Sequence, residues 1–154
     1  MRMRIIGALA ALLLVAACSS TEPAQPGGAT ATAAPGSLAH FQQVAGDRIY
    51  FETDQSTLTT DARATLDKQA AWLKQYGDRY GTFMIEGHAD ERGTREYNLA
   101  LGARRSTAAR AYLATQGVSG AKLKTTSYGK ERPEIVGSDE GAWSRNRRAV
   151  TVPQ

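Results

Sequence analysis

The sequence predicts a single α/β domain of the α+β type, with helices packed on one face of a small mixed sheet. Short β-type runs alternate with stretches in which apolar residues recur at helical spacing, in the order β-α-β-α-β-β. Glycines follow both predicted helices, as expected at helix ends. A Pro- and Gly-rich segment is confined to the first third of the 154 residues, so the rest suffices for one domain.

The predicted elements follow one another along residues 46–154. A strand at 48–51 precedes a helix that ends at Gly77, within which the apolar positions Ala62, Leu66, Ala70 and Leu73 are spaced for one face. The elements that follow are a strand at 82–86, a polar loop at 87–94, a helix at 96–116, a strand at 123–128, one helical turn near 139–143 and a last strand at 147–152.

The amino terminus has the order of a secretory signal. Arg2 and Arg4 are followed by an apolar run at residues 5–15 and then by small residues up to Cys18. The run is too short to cross a bilayer, which takes about 20 apolar residues. We therefore interpret residues 1–17 as a lipoprotein signal peptide.

Cys18 is the only cysteine, so it forms no intramolecular disulfide and belongs to no Cys/His zinc cluster. Residues 14–18 resemble a bacterial lipobox, which implies cleavage before Cys18 and lipid on its thiol. Ser19 resembles the class of lipoproteins sorted to the cell outer membrane, with the folded domain facing the periplasm. The alternative is an ordinary secreted protein, in which an unpaired thiol would be a liability.

Residues 18–45 are predicted to be the lipidated cysteine and a flexible linker. Small residues, Pro and Gly dominate residues 19–37, and such a stretch buries too little apolar surface to offset its ordering entropy. Fully extended, a linker of this length spans at most about 90 Å, and as a coil it averages roughly 28 Å. It would hold the folded domain away from the lipid surface.

The charge balance argues against nucleic acid as a partner. The chain has 19 basic and 15 acidic residues, and removal of Arg2 and Arg4 leaves 17 basic residues in the mature chain.

Arg147 and Arg148 are neighbours on a predicted strand, where side chains alternate between faces. We expect one of them in a structural ion pair and the other in solvent.

The most informative segment is residues 85–105. A strand ends in a charged, Gly-containing loop that begins with Asp90 and leads into a helix, on which Asn98 and Arg105 share one face. An aspartate can hold an ammonium, and an arginine can hold a carboxylate through two parallel hydrogen bonds. The pair suits a ligand with both groups on one carbon. Spacing alone leaves open a structural bridge between Asp90 and Arg105.

An enzyme is the alternative reading of the same loop. His88, Asp90 and Glu91 are residue types found in metal sites and acid/base pairs. The other histidine, His40, lies in or beside the predicted linker, and the sequence has no HExxH helix, Walker loop or nucleophile elbow. We therefore expect neither catalysis, nor a metal, nor a cofactor.

The loop HADERGT at residues 88–94, with its flanks, resembles the signature of the OmpA-like peptidoglycan-binding domain family, in particular its lipoprotein branch. Residues 48–51 with Asp54 are similar to the family's first strand and following loop. Residues 127–133 resemble its third strand and exit, and residues 146–150 its closing motif. Together with the lipobox and linker, the resemblance covers nearly the whole chain.

The resemblance implies a ligand and a role for each matching residue. The family binds the diaminopimelate of uncrosslinked peptidoglycan stem peptides. By motif position, Asp90 would hold the ligand's ammonium and Arg105 the carboxylate on the same carbon. Asn98 would support the loop, Leu101 would offer an apolar contact, and Asp54 would line the pocket from the first loop.

The chain departs from the family at Thr53, where many members have Phe before the first-loop aspartate. An aromatic wall of the pocket is therefore expected to be missing.

The resemblance also implies partners: peptidoglycan, the outer membrane through the lipid, and the Tol complex, chiefly TolB. The alternative is a wall-binding structural lipoprotein that works outside the Tol system.

Overall fold

The computed structural model describes residues 33–154 and confirms the predicted class, a mixed four-stranded sheet with helices. The elements in chain order are α1 (Leu38–Val44), β1 (Arg48–Tyr50), α2 (Thr60–Tyr76), β2 (Phe83–His88), α3 (Arg95–Thr115), β3 (Leu123–Gly129), α4 (Glu140–Asn146) and β4 (Arg148–Pro153). Among residues 33–154, no helix has the length and apolar character needed to span a membrane.

The sheet has the order β1-β4-β2-β3. Strand β4 pairs antiparallel with both β1 and β2, whereas β2 and β3 are parallel. A parallel pair needs a crossover connection, and α3 provides it. The loop that leaves β2 therefore leads directly into the crossover helix, which brings the HADERGT segment to the end of a central strand.

The core lies between the sheet and helices α2 and α3. Along β2, Phe83 and Ile85 are fully buried while the alternate residues Met84 and Glu86 stay partly exposed, the pattern of a sheet covered on one face. Leu66 from α2 and Leu113 from α3 complete this core at no measurable exposure. The helices therefore cover the same face.

Helix α1 corrects the predicted linker boundary. Leu38–Val44 forms a helix whose Phe41 is buried with its ring centroid 4.8 Å from that of Trp72. The interpretation of residues 18–45 as linker is wrong for these seven residues. The helix has one buried residue and no apolar repeat, so it depends on the Ser37 cap and on the contacts of Phe41 and His40 with α2. Cys18, with residues 1–32, lies outside the described residues.

The end of β2 also differs from the prediction, because Gly87 and His88 belong to the strand rather than to a loop. At Gly87 the strand crosses α3 so closely that a Cβ would lie 1.8 Å from the carbonyl oxygen of Gly102. The pair of glycines lets backbone meet backbone. This crossing holds the start of α3 against the residues that follow β2, and so determines where the candidate site forms.

Candidate ligand-binding site

A cavity of about 300 Å³ lies where the loops after β1 and β2 meet the first turns of α3. Its walls come from the loop after β1, the loop after β2 and α3, in that order: Thr53, Asp54, Asp90, Arg92, Gly93, Tyr97, Asn98 and Leu101. Four of the five residues predicted for the peptidoglycan site therefore line one cavity. The fifth, Arg105, does not line it.

The loop after β2 is held by side chains from three directions. Thr94 caps α3 by accepting a hydrogen bond from the backbone N–H of Tyr97 at 3.2 Å. Asn98 donates its amide to the carbonyl of Arg92 at 2.7 Å, so its place in the site is to support the loop. Lys130 donates to the carbonyls of Glu91 and Gly93. The loop is thus fixed before any ligand arrives.

Asp90 is a nearly buried carboxylate that already has cationic neighbours. Its Oδ1 accepts from the backbone N–H and the Nε of Arg92 at 3.1 and 3.0 Å, and its Oδ2 accepts from Nη2 of Arg92 at 2.7 Å. Nη1 of Arg147 lies 3.6 Å from Oδ2. Burial raises the pKa of Asp90, but the hydrogen bonds from Arg92 and the two positive charges outweigh it and lower that pKa below its ordinary value.

Arg105 lies next to the cavity and is fully buried. Its Nε, Nη1 and Nη2 donate to the carbonyls of Gln55, His88 and Glu52 at 2.8, 2.9 and 3.1 Å. These bonds join the loop after β1 to the end of β2. Burial lowers the pKa of Arg105 to about 10, against the opposing charge of Asp90. No ion pair joins Asp90 and Arg105 within the described part of the chain, so the structural bridge between them is absent.

Asp54 is the more accessible acid of the cavity. Its φ of 58° places it in the left-handed region that non-glycine residues seldom adopt. Its carboxylate accepts a hydrogen bond from the hydroxyl of Tyr97, which spans the cavity from α3. Thr53 stands beside it, with its hydroxyl 3.5 Å from Nη2 of Arg92. A polar contact therefore stands where the resemblance led us to look for an aromatic ring.

Three residues at the site were not predicted from the sequence: Arg92, Tyr97 and Arg147. Arg92 stands two residues after Asp90, and this spacing within one loop was the available signal. Arg147 gives no local signal for the site, because Asp90 and the carbonyl of Phe51, which it contacts, are both distant in sequence. The expectation that one of Arg147 and Arg148 is solvated is wrong, since both are buried.

His88 lies outside the cavity. It is buried against the ring of Tyr128, 5.5 Å away between centroids, and neither ring nitrogen has a hydrogen-bond partner among the described residues. Burial, with the charge of Arg148 next, lowers its pKa to about 4. Residues 33–154 contain no group of three potential metal ligands. His88 and Asp90 do not form the acid/base pair considered for an enzyme.

Comparison with known proteins places this chain and its fold in a family. The model of the OmpA family matches residues 50–147, and the chain belongs to that family. A peptidoglycan-associated lipoprotein from Mesorhizobium japonicum is 51% identical over 94% of this chain and 88% of its own length. One from Pseudomonas aeruginosa is 50% identical over 79% of this chain and 71% of its own.

Solved structures support the same family assignment. The crystal structure of the peptidoglycan-associated lipoprotein from Burkholderia pseudomallei has a TM-score of 0.66 and 41% identity, and covers 70% of this chain and 90% of that one. The carboxyl-terminal domain of Helicobacter pylori MotB, at 20% identity and a TM-score of 0.64 over 69% of this chain and 82% of that one, shares the fold alone. The predicted resemblance to the lipoprotein branch of the OmpA family is confirmed.

Proposed function

We propose that this protein is an outer-membrane lipoprotein whose folded domain binds peptidoglycan without a covalent bond. The observation that carries the proposal is the cavity at the end of β2. Four residues that match the family's wall-binding motif, Asp54, Asp90, Asn98 and Leu101, line it together. The names of the relatives from Mesorhizobium japonicum and Pseudomonas aeruginosa support the same ligand.

The ligand proposed for the cavity is the diaminopimelate of a stem peptide. The part bound is the end of its side chain, where one carbon carries both an ammonium and a carboxylate. Asp90 holds the ammonium. By its motif position Arg105 is the proposed partner of the carboxylate. Its guanidinium is fully buried beside the cavity and donates three of its five N–H groups to carbonyls, so the ligand has to reach the remaining N–H groups from the cavity side. Leu101 contacts the methylene chain, and Asp54 closes the cavity from the first loop. No cofactor takes part.

The rest of the proposal concerns the envelope. Lipid on Cys18 fixes one end of the chain in the outer membrane, and the domain holds the wall in the periplasm. Each contact can be weak, because tethering confines the domain near many stem peptides and raises their effective concentration.

We assign the protein to the Tol system with TolB as its direct partner. Capture of purified TolB by the domain tests this assignment, and failure of capture favours a wall-binding lipoprotein outside that system.

The binding proposal is tested by calorimetric titration of the chain from residue 18, carrying Cys18→Ser, with a diaminopimelate stem peptide and its lysine analogue. Lysine keeps the ammonium but lacks the second carboxylate, so its affinity should be at least about tenfold lower. Asp90→Asn should lose binding of both peptides. Equal affinity for the two peptides, or none for either, would contradict the assignment.

A further inference from the structure

The carboxylate proposed to receive the ligand's ammonium already has a partner within the protein. Arg92 chelates Asp90 with Nε on one oxygen and Nη2 on the other, at 3.0 and 2.7 Å. Its own backbone N–H takes a further acceptor position on Oδ1. An incoming ammonium would need the hydrogen bonds that the guanidinium of Arg92 makes.

Of the two arginines at Asp90, Arg92 is the one whose side chain can move away from the carboxylate. The side chain of Arg92 is 39% exposed and lines the cavity. Arg147 is 5% exposed and is held by the carbonyl of Phe51 at 3.0 Å and by Glu140 at 2.5 Å. Water solvates the guanidinium of Arg92 once it is released, whereas the Asp90 side chain is only 9% exposed. Arg147 stays 3.6 Å from the carboxylate and limits the free-energy cost of losing Arg92.

Trp143, from α4, holds Arg92 from the other side. The guanidinium carbon lies 4.2 Å from the centroid of the Trp143 ring, a cation–π distance. Trp143 is itself held by a hydrogen bond from its Nε1 to Glu91 at 3.1 Å. Any movement of Arg92 away from Asp90 changes the surroundings of this indole, which makes Trp143 a built-in reporter of that movement.

We propose that Arg92 is an internal counter-ion that competes with the ligand's ammonium for Asp90 and thereby determines the affinity of the site. The inference rests on the proposed function, because it takes Asp90 as the ammonium acceptor. Ligand binds only the fraction of molecules in which Arg92 has released Asp90, so the apparent affinity is lowered by that fraction. The contact keeps wall binding weak and reversible.

The test compares wild type, Arg92→Ala and Arg92→Lys by calorimetric titration with the diaminopimelate stem peptide. Arg92→Ala should bind about fivefold to tenfold more tightly, since the competing pair is removed. Arg92→Lys keeps a competing cation and should return towards the wild-type affinity. The matched control is Arg95→Ala, which removes an arginine three residues away that is 72% exposed, pairs with Glu131 and does not line the cavity.

Tryptophan fluorescence provides a second readout that a merely structural role would not affect. Ligand should change the emission of wild type as Arg92 moves away from Asp90 and shifts over the Trp143 ring, and Trp143→Phe should abolish this change, because the other tryptophan, Trp72, is buried beside Phe41. In Arg92→Ala, ligand should bind with a much smaller change in emission.

The outcomes separate the two proposals. If wild type binds, Asp90→Asn does not, and Arg92→Ala binds equally or more weakly, the competition is refuted while the proposed function stands. If no protein binds the peptide, the proposed function fails and the competition fails with it. Tighter binding by Arg92→Ala, with Arg95→Ala unchanged, supports both.

Discussion

At the scale of single residues, Arg105 is proposed to bind the ligand's carboxylate, and the structure shows that it also supports the fold. Arg105 is fully buried and donates to three backbone carbonyls from two separate segments. Loss of binding in an Arg105 variant is therefore not evidence of ligand contact unless stability is measured with it.

We expect Arg105→Ala to lower the free energy of unfolding by about 3–5 kcal/mol, because it leaves buried carbonyls without donors and creates a cavity. Urea unfolding followed by circular dichroism measures this loss. The matched control is Arg104→Ala, the exposed neighbour on α3, which should change stability by less than about 0.5 kcal/mol. Wild-type stability in Arg105→Ala would show that the carbonyls find other partners.

His88 makes stability depend on pH. Its pKa falls from 6.5 in the unfolded chain to about 4 in the folded one, because burial and the charge of Arg148 disfavour the imidazolium. The unfolded state then binds more protons between these values, so stability is full above pH 6.5 and is lost progressively as the pH falls towards 4. The loss amounts to about 3 kcal/mol.

Unfolding of wild type and His88→Phe at pH 7, 5.5 and 4.5 tests this dependence. Phe keeps an aromatic ring beside Tyr128 and does not titrate, so the slope between pH 6.5 and 4 should be smaller in the variant. Asp47 and Asp90 contribute little in this window, because hydrogen bonds from arginines keep the pKa of each carboxyl below its ordinary value. Parallel profiles for the two proteins would exclude His88 as the source.

At the scale of elements, the crossing of β2 and α3 is the contact on which the site depends. A Cβ on Gly87 would lie 1.8 Å from the carbonyl oxygen of Gly102, and backbone cannot yield there without moving the helix. We expect Gly87→Ala to lower the free energy of unfolding by more than about 3 kcal/mol, and to weaken stem-peptide binding.

The control for this prediction is Gly81→Ala, since a Cβ at Gly81 meets its nearest atom at an ordinary 3.7 Å. Gly81→Ala should retain both stability and binding. A Gly87→Ala protein as stable as Gly81→Ala would mean that α3 can shift without loss, and that the close crossing does not position the cavity.

Periodicity predicted the elements whose burial follows a repeat, and failed where burial depends on one contact. Helix α2 was recognised because four apolar positions share a face and Gly77 ends the helix. Helix α1 has a single buried residue, Phe41, whose partner Trp72 lies 31 positions further along the chain.

At the site, the motif predicted the gathering of Asp54, Asp90, Asn98 and Leu101. It did not predict the pairing of Asp90 with Arg92, although their spacing in one loop was a local signal, or with Arg147, which depends on tertiary approach.

At the scale of the whole molecule, the proposed function needs two attachments in separate parts of the chain, Cys18 and the cavity at the end of β2, and they should be separable. Cys18→Ser removes the proposed site of lipid attachment and keeps every residue of the cavity. Asp90→Asn removes the proposed ammonium acceptor and keeps Cys18. We expect the first variant to leave the membrane fraction of cells yet still sediment with purified peptidoglycan. The second should stay in the membrane fraction and fail to sediment with the wall.

Each variant controls for the other, since both are made in the same chain and both keep the buried core. Only a protein that joins membrane and wall predicts two opposite losses, and cells carrying either variant should show the same weakening of the envelope. Retention of Cys18→Ser in membranes would argue against a lipid anchor at that residue. Sedimentation of Asp90→Asn with the wall would place the peptidoglycan contact outside the cavity at the end of β2.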